Sequence, residues 1–188
     1  MNELHYVGSW IVSFLVGTFL LRLLFQLVRT DFRNPLVGAI VRLTNPLVVP
    51  LRRVLPPIAR VDSASVLAVL IVQIGGTLLL ALLAGQGVPP VVWLVVRSIC
   101  AALDTTLWLL IVATVVFVIL GWVAPDSYSP VGRVVGDLAE PVLRPFRRAL
   151  PTFGGIDFSP AVVLLLLSVL RMVLNDRIQP ALLRMLIG

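Results

Sequence analysis

Four apolar runs dominate the pattern of the chain, at residues 6–28, 64–84, 99–124 and 159–174. A helix needs roughly 20 residues to cross the hydrocarbon layer of a bilayer. The runs therefore predict four transmembrane helices, the last of them short enough to require extension or tilt. Between the first two runs, the segment 35–57 stays apolar but is cut by prolines. Each proline biases its predecessor away from helix, so bends are expected at Asn45-Pro46 and Val49-Pro50. The resulting pieces, about ten residues or shorter, suit an interfacial or re-entrant position. Between the last two runs, Arg133, Asp137, Glu140 and Arg144 recur at helical spacing opposite Val134, Val135 and Leu138. That pattern predicts an amphipathic stretch in the headgroup plane. Pro141 argues against one unbroken helix through it.

These two intervening segments repeat each other. NPLVVPLRRV begins at Asn45 and EPVLRPFRRA at Glu140, 95 positions later. At the same offset Pro35, Leu43, Pro46, Pro50, Arg52, Arg53, Leu55, Pro56 and Asp62 all meet identical residues. Identities concentrated at Pro, Arg and Asp point to an internal duplication rather than to shared hydrophobicity. The expected fold is thus an all-α membrane protein, four transmembrane helices arranged as two parallel repeats of helix, amphipathic segment, helix. The first repeat covers 1–84, an outer-face linker around GQGVPP covers 85–97, and the second repeat covers 98–188 with a short C-terminal amphipathic tail. Parallel units of this kind are related by an axis along the membrane normal.

Composition supports a lipid environment. Hydrophobic residues make up 59% of the chain and charged ones 13%, against about 25% charged in an ordinary soluble domain. The mean hydropathy is +1.06. All fifteen cations are arginine, and ten of them lie within 29–60 and 133–148. The positive-inside rule places both segments in the cytoplasm, which leaves both termini outside if four helices cross. The leading MNELHY has no Lys or Arg, and no small-residue cleavage site follows the first run. That run is read as a retained helix and not as a signal peptide. The net charge of +6 is concentrated beside the spans, so the expected partner is a phospholipid bilayer with anionic headgroups and no nucleic acid.

Candidate chemistry is sparse. His5 and Cys100 are single residues with no metal-binding spacing between them. No Walker loop or G-x-S-x-G elbow is present. No enzymatic activity, cofactor or metal is expected. Arg52, Arg53, Arg147 and Arg148 are expected to meet lipid phosphates, either to fix topology or to dock a lipid or an acidic partner. Asp62 and Asp157 precede the second and fourth runs and are expected to cap those helices. A second reading ties each aspartate to an arginine of its own unit. Arg22, Gln26, Gln73, Asp104 and Arg171 are the polar groups inside the apolar runs, where charges are functional candidates. Arg22 is near the end of its run and is expected to snorkel. Asp104 and Arg171 are expected to pair, since a buried charge is tolerated best when paired. Gln73, Gly75, Gly76 and Thr77 are expected to let helices approach closely.

The doubled segment, with Asn/Glu-Pro, Pro-x-Arg-Arg, Leu-Pro and a following Asp, resembles the YggT family of bacterial integral membrane proteins. The residues that carry the likeness are Pro46, Pro50, Arg52, Arg53, Pro56 and Asp62, and Pro141, Pro145, Arg147, Arg148, Pro151 and Asp157. LLRLLFQLVRTDFRNP resembles the family's first unit, whereas LGWVAPDSYSP in the second departs from it. The resemblance implies a multi-pass protein of the bacterial inner (plasma) membrane with no established enzymatic activity. It further implies a part in osmotic or ion homeostasis, as an oligomeric channel or an accessory subunit. Chloroplast and Gram-positive relatives imply an alternative: a scaffold or assembly factor for division, nucleoid or cofactor-assembly machinery. The first reading needs a polar path through the bundle or a homo-oligomer. The second needs a cytoplasmic or membrane protein partner for the arginine-rich hairpins.

Overall fold

A computed structural model describes residues 3–56, 62–123, 129–150 and 157–187. Pro57 and Pro151 lie outside the described residues. The described chain is helical throughout: α1 (Glu3–Val28), α2 (Pro35–Val54), α3 (Ser63–Leu83), α4 (Val91–Val123), α5 (Pro130–Ala149), α6 (Ser159–Val173) and α7 (Gln179–Ile187), with a π-helical turn at Leu174–Ile178 joining the last two. Three helices, α1, α3 and α4, are long and apolar enough to cross a membrane. This corrects the expectation of four. The fourth run is α-helical for only 15 residues before the π turn changes its hydrogen-bond register. The third helix also starts at Val91, eight residues before the apolar run at 99–124.

α4 is central and packs against α1, α3, α5, α6 and α7. α1 lies along α3, and α2 crosses the end where α1 finishes and α3 begins. A Cβ built on Gly76 of α3 would run into the Val12 side chain of α1, so glycine is what permits that approach. Gly75 meets nothing and faces outward. Val12, Val16, Phe19, Leu20, Ala64, Ala68, Val69 and Ala102 form the core of this contact, together with Val48 of α2. A second cluster around Ala139, Leu143, Val163 and Leu167 joins α5 to α6. Outward faces are strongly apolar, with Phe14 at 69% and Leu165 at 67% exposure, as expected where lipid is the solvent.

The prolines do not break their segments. α2 contains Pro46 and Pro50, and α5 contains Pro141 and Pro145, each within an unbroken 20-residue helix. The expected bends are therefore absent as helix ends. An interior proline forfeits one hydrogen bond and crowds the carbonyl four residues back, at about 3 kcal/mol. All four prolines are exposed, so the freed carbonyls can meet water or headgroups instead of a dry core. Pro35 and Pro130 open the same helices at the first turn, where a missing N–H costs nothing. Asn34 and Ser129 cap them through Leu36 N at 3.0 Å and Gly132 N at 2.9 Å.

Candidate functional site

Polar side chains gather at both ends of the bundle. Where α1 ends, Arg22 is buried at 2% exposure. Its Nη1 donates to Val41 O at 3.1 Å, Thr44 Oγ1 at 2.6 Å and Asn45 Oδ1 at 2.9 Å. Snorkelling is thereby corrected: the guanidinium staples α1 to the turn of α2 just before Pro46. Gln26 points elsewhere, its Nε2 donating to Asp62 Oδ2 at 3.3 Å.

Asp62 stands at the N-cap position of α3, but its side chain caps no backbone amide. Oδ2 accepts from Arg52 Nε at 2.9 Å and from Ser65 Oγ at 2.6 Å. Burial pushes this carboxyl up, yet hydrogen bonds from Arg52, Ser65 and Gln26 outweigh it and hold the pKa at about 2. Asp157 lies one residue before the N-cap position of α6, which is Phe158. Oδ1 accepts from Ser159 N at 2.8 Å and Oδ2 from Arg147 Nε at 2.8 Å. Burial raises its carboxyl pKa, and the Ser159 and Arg147 hydrogen bonds reverse the shift and lower it. Arg147 also donates to Glu140 Oε2 at 2.6 Å and sits 5.5 Å from the Phe117 ring centroid. One arginine of each pair is thus consumed internally. Arg53 and Arg148 remain exposed, without an ion pair among the described residues.

At the opposite end, α1, α3, α4 and the π turn enclose a polar cavity of about 480 Å³. Ser9, Ser13, Gln73, Thr77, Asp104 and Asn175 are on its walls, with His5, Gln86 and Arg97 nearer the chain turns. The expected pair forms: Arg171 Nε meets Asp104 Oδ1 at 2.6 Å and Nη2 meets Oδ2 at 3.0 Å. Asn175 Nδ2 adds a bond to Oδ1 at 2.6 Å. Asn175 was not singled out from sequence, although it follows Arg171 by one helical turn. Arg171 also lies 5.0 Å from the Trp108 ring centroid, within cation–π reach. Behind the pair is a mostly apolar cavity of about 670 Å³, walled by Tyr6, Trp10, Phe14 and Trp108. Gln73 donates to Thr77 Oγ1 at 3.3 Å, and Ser98 to the same oxygen at 3.4 Å. Such groups suit water and small polar solutes. Between this cavity and Arg22, Val16, Phe19 and Leu20 on α1 face Ala64, Ala68 and Val69 on α3. The single chain therefore holds an apolar plug between its two polar ends.

A sequence model described as CCB3/YggT matches residues 1–83 and 96–178. The chain belongs to the CCB3/YggT family. The two matched segments are again displaced by 95 positions at both ends. Among similar family proteins, the uncharacterised protein PA0392 of Pseudomonas aeruginosa is 41% identical over 159 residues, which is 84% of this chain and 81% of that one. The uncharacterised protein YggT of Escherichia coli K12 is 35% identical over 179 residues, covering 95% and 93%. A Haemophilus influenzae relative is 30% identical over 172 residues, covering 91% and 90%. No solved structure matches the chain.

Proposed function

We propose that this CCB3/YggT protein contributes to osmotic or ion homeostasis in the bacterial inner membrane by admitting a small polar solute or ion to the cavity around Asp104. In this reading α2 and α5 lie at the cytoplasmic face, where their arginines satisfy the positive-inside rule. Residues 1–84 and 98–188 act as two parallel repeats, and the cavity opens on the other face. One observation carries the reading: a carboxylate held by Arg171 and Asn175 lines a polar cavity inside a helix long and apolar enough to cross a membrane. Charge at such depth is costly and is kept where a polar path or ligand uses it. The apolar plug argues for a gated path or an accessory role in a larger assembly, not for an open pore in one chain. No chemical step is assigned to it.

Flux of potassium and small osmolytes into proteoliposomes of the purified protein tests this. Flux above protein-free vesicles, lowered by Gln73→Leu, is the expected result. Folded protein that neither conducts nor binds these solutes removes the reading. A second reading, a membrane scaffold, is favoured by Arg53 and Arg148, exposed and without an ion pair among the described residues. It requires a co-purifying partner that is lost in Arg53→Glu/Arg148→Glu.

A further inference from the structure

At the end remote from Asp104, a separate cavity of about 440 Å³ opens where α1 gives way to α2. Arg29, Arg33 and Arg133 line it with Thr30, Asp31 and Asp137. Arg29 ends α1 with a φ of 59°. Arg29 N donates to Gln26 O at 3.3 Å and Thr30 N to Phe25 O at 3.0 Å, the paired bonds of a left-handed helix stop. That stop buries Thr30 to 3% exposure. Its hydroxyl Oγ1 has no hydrogen-bond partner among the described residues, an arrangement that costs free energy unless something fills the cavity beside it.

The same cavity receives two helix starts. Asn34 Nδ2 donates to Pro130 O at 2.8 Å, so the first turns of α2 and α5 lie side by side. Helix N-termini carry partial positive charge and favour anions. None of the three guanidiniums takes part in an ion pair among the described residues. Of the two carboxylates, Asp31 already accepts from Arg33 N at 2.9 Å. Three guanidiniums and two helix ends against two carboxylates leave a positive site. Arginine forks match the oxygens of a phosphate.

We propose that this cavity binds a phosphate group, held by Arg29, Arg33, Arg133 and the Thr30 hydroxyl. The group comes either from an anionic phospholipid headgroup or from free phosphate. The surroundings favour the lipid. Phe32, Leu36 and Val131 beside the cavity are 51%, 42% and 44% exposed, an apolar rim that acyl chains can cover. The site is independent of the outer cavity and of any solute taken there.

The test uses the full-length chain in nanodiscs of neutral lipid, with and without phosphatidylglycerol. Bound anionic lipid is quantified after extraction, and inorganic phosphate binding is measured in the neutral discs. Arg33→Gln/Arg133→Gln is expected to lower retention about tenfold and Thr30→Val about threefold. Arg42→Gln/Arg144→Gln, which removes equal charge from α2 and α5 outside the cavity, is expected to change little. Lipid retention lost in the first two variants supports a headgroup site. Phosphate binding in neutral discs lost in the same variants supports the site with free phosphate as its source. Neither probe bound by the wild type, or an equal loss in the Arg42/Arg144 control, overturns the proposal. Circular dichroism of each variant confirms that loss does not reflect unfolding.

Discussion

Gly76 and Arg171 occupy equivalent places, 95 positions apart, and do opposite things. At Gly76 α3 closes on α1 so tightly that no Cβ fits against Val12. At Arg171 a guanidinium stands between α6 and α4 and reaches Asp104, whose counterpart in the first half is Ser9. The end beside α2 and α5 shows the reverse. Arg22 in the first half bonds to three groups of α2, while its counterpart Phe117 packs near Gly136 of α5 and under Arg147. The Gly76 contact is thus apolar where the Asp104–Arg171 contact is charged, and Arg22 is charged where Phe117 is aromatic. α2 and α5 have the same length and both begin at proline. The polar cavity draws on both halves: Ser9, Ser13, Gln73 and Thr77 of the first stand opposite Asp104 and Asn175 of the second.

The largest expected effect comes from giving the second half the first half's residues one at a time. Asp104→Ser takes from Arg171 the carboxylate it meets and should destabilise by about 3 kcal/mol. Asp104→Ser/Arg171→Gly removes both charges and should recover part of that loss. Thermal unfolding in detergent reads both, and a double variant as unstable as the two single losses combined would show that the pair is not a coupled unit. Next is the Arg22 staple. Arg22→Met should cost about 2 kcal/mol, because the bonds to Val41, Thr44 and Asn45 go together. Phe117→Leu, at the matching place, should cost about 1 kcal/mol through lost packing alone. Equal losses would mean that Arg22 contributes mainly bulk.

These contrasts also separate what the residues announce from what they conceal. The apolar runs at 6–28 and 64–84 agree with α1 and α3 to within three residues, because hydrophobic length is a local property. The Asp104–Arg171 pair is legible for a different reason: two opposite charges in apolar surroundings have few other solutions. Arg22 is not legible. Its partners lie 19 to 23 positions away on α2, and a residue near the end of an apolar run looks free to reach water. The prolines mislead similarly. A local rule counts the lost hydrogen bonds but not that the prolines lie on the exposed side of their helices, nor that Arg22 holds the preceding turn in place. The fourth span fails on length: its apolar run ends where the π turn begins, and that turn carries Asn175, Asp176 and Arg177. The cavity below α1 stays hidden because Arg29, Arg33 and Arg133 meet only when α2 and α5 start side by side.

The smallest contrast is between the two clasps. Arg52–Asp62 and Arg147–Asp157 close the same loop in each half, with the aspartate at 9% side-chain exposure in one and 35% in the other. Asp62 has its pKa depressed from 3.8 to about 2 in the folded chain. Its contribution is therefore complete above the unfolded value and disappears as pH falls through the folded one. At neutral pH it amounts to about 2 kcal/mol. Asp62→Asn should lower stability by that amount near neutrality and flatten the dependence between about pH 4 and pH 2. Asp157→Asn, at the more exposed clasp, should cost less than about 1 kcal/mol. Its depressed pKa gives the same sign, stability lost on acidification, but a shallower slope. Melting temperature measured against pH for the two variants compares them directly. A steeper acid dependence for Asp157 than for Asp62 would mean that the exposed clasp is the stronger one, and that burial does not distinguish the halves.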